Sequence, residues 1–140
     1  MSDSNIINTK WMKRAIFLAS LANGKTSPNP MVGAVILDKN GNLISEGFHY
    51  KAGMPHAEAM AFNNLNKDAR GGSMYVNLEP CCHEGKTPPC VDKVISSGIK
   101  DIYISIQDPD KRVSGKGIKL LKEAGIQVHL GLCKKESLEL

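Results

Sequence analysis

The chain has 140 residues, 41% of them hydrophobic, and a net charge of +4 from 18 Lys and Arg against 14 Asp and Glu. That supports one globular domain with a full core. No basic block exceeds Lys134-Lys135, no aromatics interleave with basic residues and no run of 18 apolar residues occurs, which argues against a nucleic-acid surface and a membrane-spanning helix.

In chain order, the start MSDSNIINTK carries no apolar signal segment, so a cytoplasmic location with reduced thiols is expected. Thr9 is placed to cap a first helix, in which Trp11, Met12, Ala15, Ile16, Leu18, Ala19 and Ala22 recur near helical spacing before Gly24 ends it. The turn TSPNP follows, then the continuous apolar run Met31–Asp38, read as a buried strand. Asn40-Gly41 is a strong hairpin signal, which makes Leu43–Phe48 the returning strand. A second helix opens near Pro55 or His56. Gly71-Gly72 precedes the strand SMYVNLE, and VDKVISSG reads as a short helix closed by Gly98. DIYISIQ is a strand, DPDKRVSGKG a loop, IKLLKEAG a helix and IQVHLGL a final strand. This order predicts an α/β fold: a five-stranded mixed sheet, mostly parallel after an N-terminal antiparallel hairpin, with helices on both faces. No repeat, low-complexity segment or second domain is visible.

The chemistry concentrates in two places. The second helix opens on His56-Ala57-Glu58, beside free backbone N–H groups and the positive end of the helix dipole. Alone, such a pair usually caps a helix. The second place is Glu79–Cys90, EPCCHEGKTPPC, which holds three of the four cysteines. Cys81 follows a strand and Pro80. Cys90 follows Pro88-Pro89 and opens a helix, where the backbone stabilises a thiolate. Two helix starts therefore aim an imidazole and a thiolate toward Cys81. Three N/S ligands and an open position describe a catalytic zinc site, whose water zinc acidifies toward a pKa of about 7. Glu58 then becomes the proton carrier, in the pattern H-x-E…P-C-x-x-C of zinc deaminases. Here the cysteine gap is longer by the insertion CHEGKTPP. The alternative is a closed structural site that adds Cys82 or His83, which leaves Glu58 without a role. Cys133 reads as a free thiol.

The segments TSPNPMVGAVI, GFHYKAGMPHAE, LEPCCHEGKTPPC and QDP…VSGKGI…L..AGI resemble the deaminase domain of the riboflavin-biosynthesis deaminase/reductase, from about Lys10 to about Leu132. The resemblance implies the three-layer α/β/α cytidine deaminase-like fold. It also implies hydrolysis of the ring amino group of a phosphoribosylated diaminopyrimidinone, with Zn2+ held by His56, Cys81 and Cys90 and with Glu58 as proton shuttle. The substrate-binding positions it implies are Asn29, His49, Ala57, His83 and Lys86, with Lys86 suited to a phosphate. It implies as partners a small phosphorylated pyrimidine, other copies of the chain packed through sheet-flanking helices, and an NADPH-dependent reductase domain or protein, for which this chain has no dinucleotide-binding sequence. Cytidine deaminases and tRNA adenosine deaminases share that fold but keep the short gap; a related deaminase of a free base, a nucleoside or a tRNA adenosine stays open as an alternative, as does a non-catalytic zinc-stabilised binding domain. Two departures stand out: Cys82 replaces the family's usual serine, and Asp110-Lys111 replace Asn-Pro.

Overall fold

The computed structural model describes residues 3–25, 30–49, 51, 55–65, 67–82, 90–111 and 114–140. Its elements are α1 (Asp3–Ser20), β1 (Gly33–Leu37), β2 (Leu43–Phe48), α2 (Ala57–Asn63), β3 (Ser73–Leu78), α3 (Cys90–Ser96), β4 (Asp101–Ile106), α4 (Lys116–Glu123), β5 (Gln127–Leu130) and α5 (Lys134–Leu138). Three departures from the expected elements have visible causes. α1 starts well before Thr9, and its first turns are tied to the sheet where the Tyr75 hydroxyl donates to Asn8 Oδ1 at 2.5 Å. α4 starts at Lys116 rather than Ile118, because its cap is supplied from outside the helix. The short α5, absent from the sequence reading, is held by a hydrogen bond of 2.6 Å from Ser137 Oγ to Ser105 Oγ on β4.

The sheet order is β2-β1-β3-β4-β5. β1 runs antiparallel to both neighbours, whereas β3, β4 and β5 pair in parallel. The expected hairpin is present: Asp38 Oδ1 accepts from the backbone N–H groups of Asn40 and Asn42, both at 2.9 Å, and Gly41 takes a φ of +84°. The sheet is less parallel than the mostly parallel one expected: two of its four pairings are antiparallel. β2 and β3 point the same way, but the β2–α2–β3 crossover passes over β1, which adds a second antiparallel pairing. Crossover handedness says how such a connection turns, not whether it skips a strand.

Helices α2, α3 and α4 cover one face of the sheet, where Ala34, Ile36, Met74, Val76, Ile102 and Ile104 meet Ala57, Ala61, Val91, Val94 and Leu121. On the other face Met12, Ala15 and Leu18 of α1 pack on Val35, Leu37 and Tyr75. Each fully buried aliphatic side chain contributes about 1.5–3 kcal/mol by leaving water. One close approach matters for the site. A Cβ at Gly47 would lie 2.7 Å from both Ala57 O and Ala61 N, so the backbone of α2 rests directly on β2. Only glycine permits that approach, and it fixes where the first turn of α2 stands. Among the described residues, no helix is long and apolar enough to cross a membrane.

Candidate metal centre

The site forms where β3 ends and two helices begin. His56 is the N-cap of α2, with φ −66° and ψ 162°, and its side chain makes no cap hydrogen bond. The extended backbone keeps the imidazole out of the helix and leaves its nitrogens for other partners. Cys81 follows β3 after Pro80, and Cys90 is the first, buried residue of α3. The start of α3 closes on Cys81: Cys90 N–H donates to Cys81 Sγ at 3.3 Å and Val91 N–H to Cys81 O at 3.1 Å. The Cys90 amide, at the helix start, favours the thiolate form of Cys81, while the Val91 amide fixes the Cys81 backbone.

The three side chains converge. His56 Nδ1 lies 3.7 Å from Cys81 Sγ and 3.6 Å from Cys90 Sγ. All three ligand atoms fall within 4.8 Å of one another, and among the described residues no fourth His, Cys, Asp or Glu joins them. Tetrahedral bonds of about 2.3 Å to sulfur and about 2.0–2.1 Å to nitrogen separate S from N by about 3.6 Å. The donor set and its spacing fit a zinc ion bonded to all three atoms. Without a cation, the contact with Cys90 holds the Cys81 thiol down at about 4 and pushes Cys90 up, because the two sulfurs share a proton. His56 is raised, first by its contact with Cys81.

Glu58 stands in the first turn of α2, buried at 4% exposure. Burial, the largest influence, pushes its carboxyl up to about 7, and the charge of Cys81 pushes the same way. Ala57 is fully buried and offers this space only backbone. His49 follows β2, 2% exposed, with its ring edge-on to His56 at 5.1 Å between centroids. Its Nδ1 lies 3.1 Å from Pro55 O. A carbonyl only accepts, so Nδ1 carries the proton in the neutral ring and Nε2 is an acceptor. That Nε2 is buried with no hydrogen-bond partner among the described residues. An unsatisfied buried polar atom costs about 1–3 kcal/mol, which a donor on a ligand would relieve.

The remaining sequence-predicted positions divide. Asn29, His83 and Lys86 lie outside the described residues. Cys82 is half-buried and packs against the core under α2, α3 and α4, not among the converging ligands. Asp110 sits in the β4–α4 turn, its N–H donating to Asp108 Oδ1 at 2.9 Å, and Lys111 is exposed. Two buried polar residues escaped the sequence reading. Asn77 Oδ1 accepts from Gly33 N–H at 2.8 Å while its Nδ2 donates to Met31 O at 3.0 Å, which anchors the entry to β1. Glu79 accepts three backbone N–H groups from the β4–α4 region. In a strand read one residue at a time, each looks like a solvent-facing polar position.

Comparison with known proteins gives a consistent picture. Residues 6–106 match the sequence model described as the cytidine and deoxycytidylate deaminase zinc-binding region. The chain is 50% identical over 127 residues to the diaminohydroxyphosphoribosylamino-pyrimidine deaminase of Buchnera aphidicola, covering 91% of this chain and 86% of that protein. It is 48% identical over 134 residues to the riboflavin biosynthesis protein RibD of Aquifex aeolicus, covering 96% of this chain and 37% of that one. A solved structure of a diaminohydroxyphosphoribosylaminopyrimidine deaminase/5-amino-6-(5-phosphoribosylamino)uracil reductase from Thermotoga maritima superposes with a TM-score of 0.92 at 44% identity, over 97% of this chain and 39% of that one. The chain thus spans under two fifths of the length of these last two relatives.

Proposed function

The chain belongs to the cytidine and deoxycytidylate deaminase family by its zinc-binding region, and from that premise we propose that it hydrolyses the ring amino group of 2,5-diamino-6-ribosylamino-4(3H)-pyrimidinone 5′-phosphate. The products are ammonia and 5-amino-6-(5-phosphoribosylamino)uracil. The observation that carries this reading is the convergence of His56, Cys81 and Cys90 at 3.6–3.7 Å beside a buried glutamate. The names of the relatives narrow the substrate.

In this reading His56, Cys81 and Cys90 hold zinc. When bound, the ion lowers the pKa of water toward about 7 and so supplies a nucleophile near neutrality. Glu58 does the proton work. Burial sets its carboxyl near 7, so at neutral pH it accepts and releases a proton with little bias, the condition for efficient general acid–base catalysis. It takes the proton from the attacking water and delivers it to the leaving amine. His49 Nε2 accepts a hydrogen bond from an N–H or O–H of the substrate. Asn29 pairs with the amide edge of the pyrimidinone, and His83 and Lys86 take the ribosyl phosphate.

The test is ammonia release from the phosphorylated substrate and from its dephosphorylated analogue, with the zinc-loaded protein and its Lys86→Ala variant. Preference for the phosphorylated compound, lost in the variant, is expected. Equal rates on both compounds, unaffected by the variant, would point to a free base or nucleoside as substrate. A cobalt-substituted protein whose spectrum shows four protein ligands and no exchangeable water would make this a closed, non-catalytic site.

A further inference from the structure

We propose that Glu79, a buried carboxylate that the proton chemistry does not use, is a positioning residue that pins the β4–α4 turn against the metal-bearing loop and so sets one wall of the substrate site. The inference rests on the functional reading above and deepens it.

A carboxylate 4% exposed is costly unless hydrogen bonds replace its water. Among the described residues no cation pairs with Glu79. Its partners are backbone amides: Asp108 and Gly115 donate to Oε1, each at 3.0 Å, and Ile118 donates to Oε2 at 3.2 Å. One oxygen therefore clamps both ends of the turn. The turn is also braced within, by Ser114 N–H to Asp110 O at 2.9 Å and Ser114 Oγ to Gln107 Oε1 at 3.3 Å. Gly115, the N-cap of α4, has a φ of +84° and no side chain to cap with. Glu79 caps α4 from the segment just after β3, and its charge complements the helix dipole.

The clamp faces the site. β3 and β4 are parallel, and Glu79 N–H donates to Ile106 O at 3.0 Å, so both strands deliver their following loops to one edge of the sheet. That edge, outside the carboxyl ends of parallel strands, is where α/β sheets bind ligands. The contact is tight: a Cβ at Gly117 would stand 2.5 Å from Pro80 O, one residue before Cys81. Lys116 lies within electrostatic reach of Cys82. Glu79 and Gly117 thus hold α4 and its turn against the loop that carries Cys81, while Glu58 and His56 reside on α2. Loss of the clamp moves a wall of the site, while His56 and Glu58 keep the positions that α2 gives them.

The experiment is steady-state ammonia release by zinc-loaded Glu79→Gln. Glutamine retains one acceptor oxygen and turns an N–H2 toward the other donors. The expected result is a KM for the phosphorylated pyrimidine raised about tenfold, comparable to one lost charge-assisted hydrogen bond, with kcat within about twofold and zinc content unchanged. Gly117→Ala, whose methyl would press on Pro80 O at 2.5 Å and on Glu79 Oε2 at 3.2 Å while leaving the carboxylate its charge, should give the same KM-only change and serves if Glu79→Gln does not fold. Unchanged KM with a lower melting temperature, or kcat and zinc content falling together, overturns the inference. If the unaltered protein releases no ammonia, the proposed function fails by itself. Hydrogen exchange then decides: faster exchange confined to residues 107–118 in Glu79→Gln upholds the clamp, and equal protection overturns it.

Discussion

Glu58→Gln is expected to abolish turnover while making the metal-stripped protein more stable, and the two effects separate catalytic need from structural cost. Glu58 is 4% exposed, and burial lifts its carboxyl from an ordinary 4.5 to about 7. At about 1.4 kcal/mol per pKa unit, the ionised side chain costs the fold about 3 kcal/mol. The sign follows from proton binding. Below about pH 4.5 the group is protonated folded and unfolded, and the cost is absent. Between about 4.5 and 7 only the folded state holds the proton, so stability falls as pH rises; above about 7 the loss is complete. Glutamine has no such titration. Thermal unfolding after chelation should therefore give equal melting temperatures near pH 4.5 and a gain of about 10 °C for the variant near pH 8. Ammonia release by the zinc-loaded variant should fall about 10²–10⁴-fold. A pH-independent gain, or none, refutes the burial argument. Retained turnover refutes the proton shuttle.

Cys90→Ser should weaken zinc binding by more than about a hundredfold in equilibrium dialysis, since even residues behind a ligand are worth about 10–100-fold. Gly47→Ala forces a methyl against the backbone of α2 at Ala57 and Ala61; chemical denaturation should show a loss of about 1–3 kcal/mol, with lower activity because the His56 end of α2 must move. Arg14 holds Glu46 through two hydrogen bonds of 2.9 and 2.7 Å, but the Arg14 side chain is 44% exposed. Arg14→Ala should cost under about 1 kcal/mol and less still at high salt.

What the sequence made legible was local. The Asn40-Gly41 hairpin needs only a few neighbouring residues, and Asp38 completes it from within the turn. The convergence of Cys81, Cys90 and His56 was readable because each sits beside an element boundary marked by proline or by the onset of a helix. Non-local features were hidden. The insertion of β1 between β2 and β3 leaves no mark, because both hairpin and crossover are satisfied either way. Asn77 and Glu79 bond to backbone groups 29 to 46 positions away. α5 is a five-residue helix that a serine on β4 holds in place. The long cysteine gap was the exception, a non-local device readable through its resemblance to a family.

The crossover over β1 also bears on how the protein comes to be folded. His56 precedes β3 by a full connection, and its two partners lie 25 and 34 positions downstream. The hairpin can form early from near neighbours, but the three ligands meet only after β3 has docked beside β1 and α3 has started. Closing loops of that length is a late event in assembly. A cation recognised by the finished cluster then acts on the exit from the native state, not on the route into it. Stopped-flow mixing should find that zinc slows unfolding while the refolding rate stays the same; faster refolding with zinc would mean that the ligands gather before the sheet does.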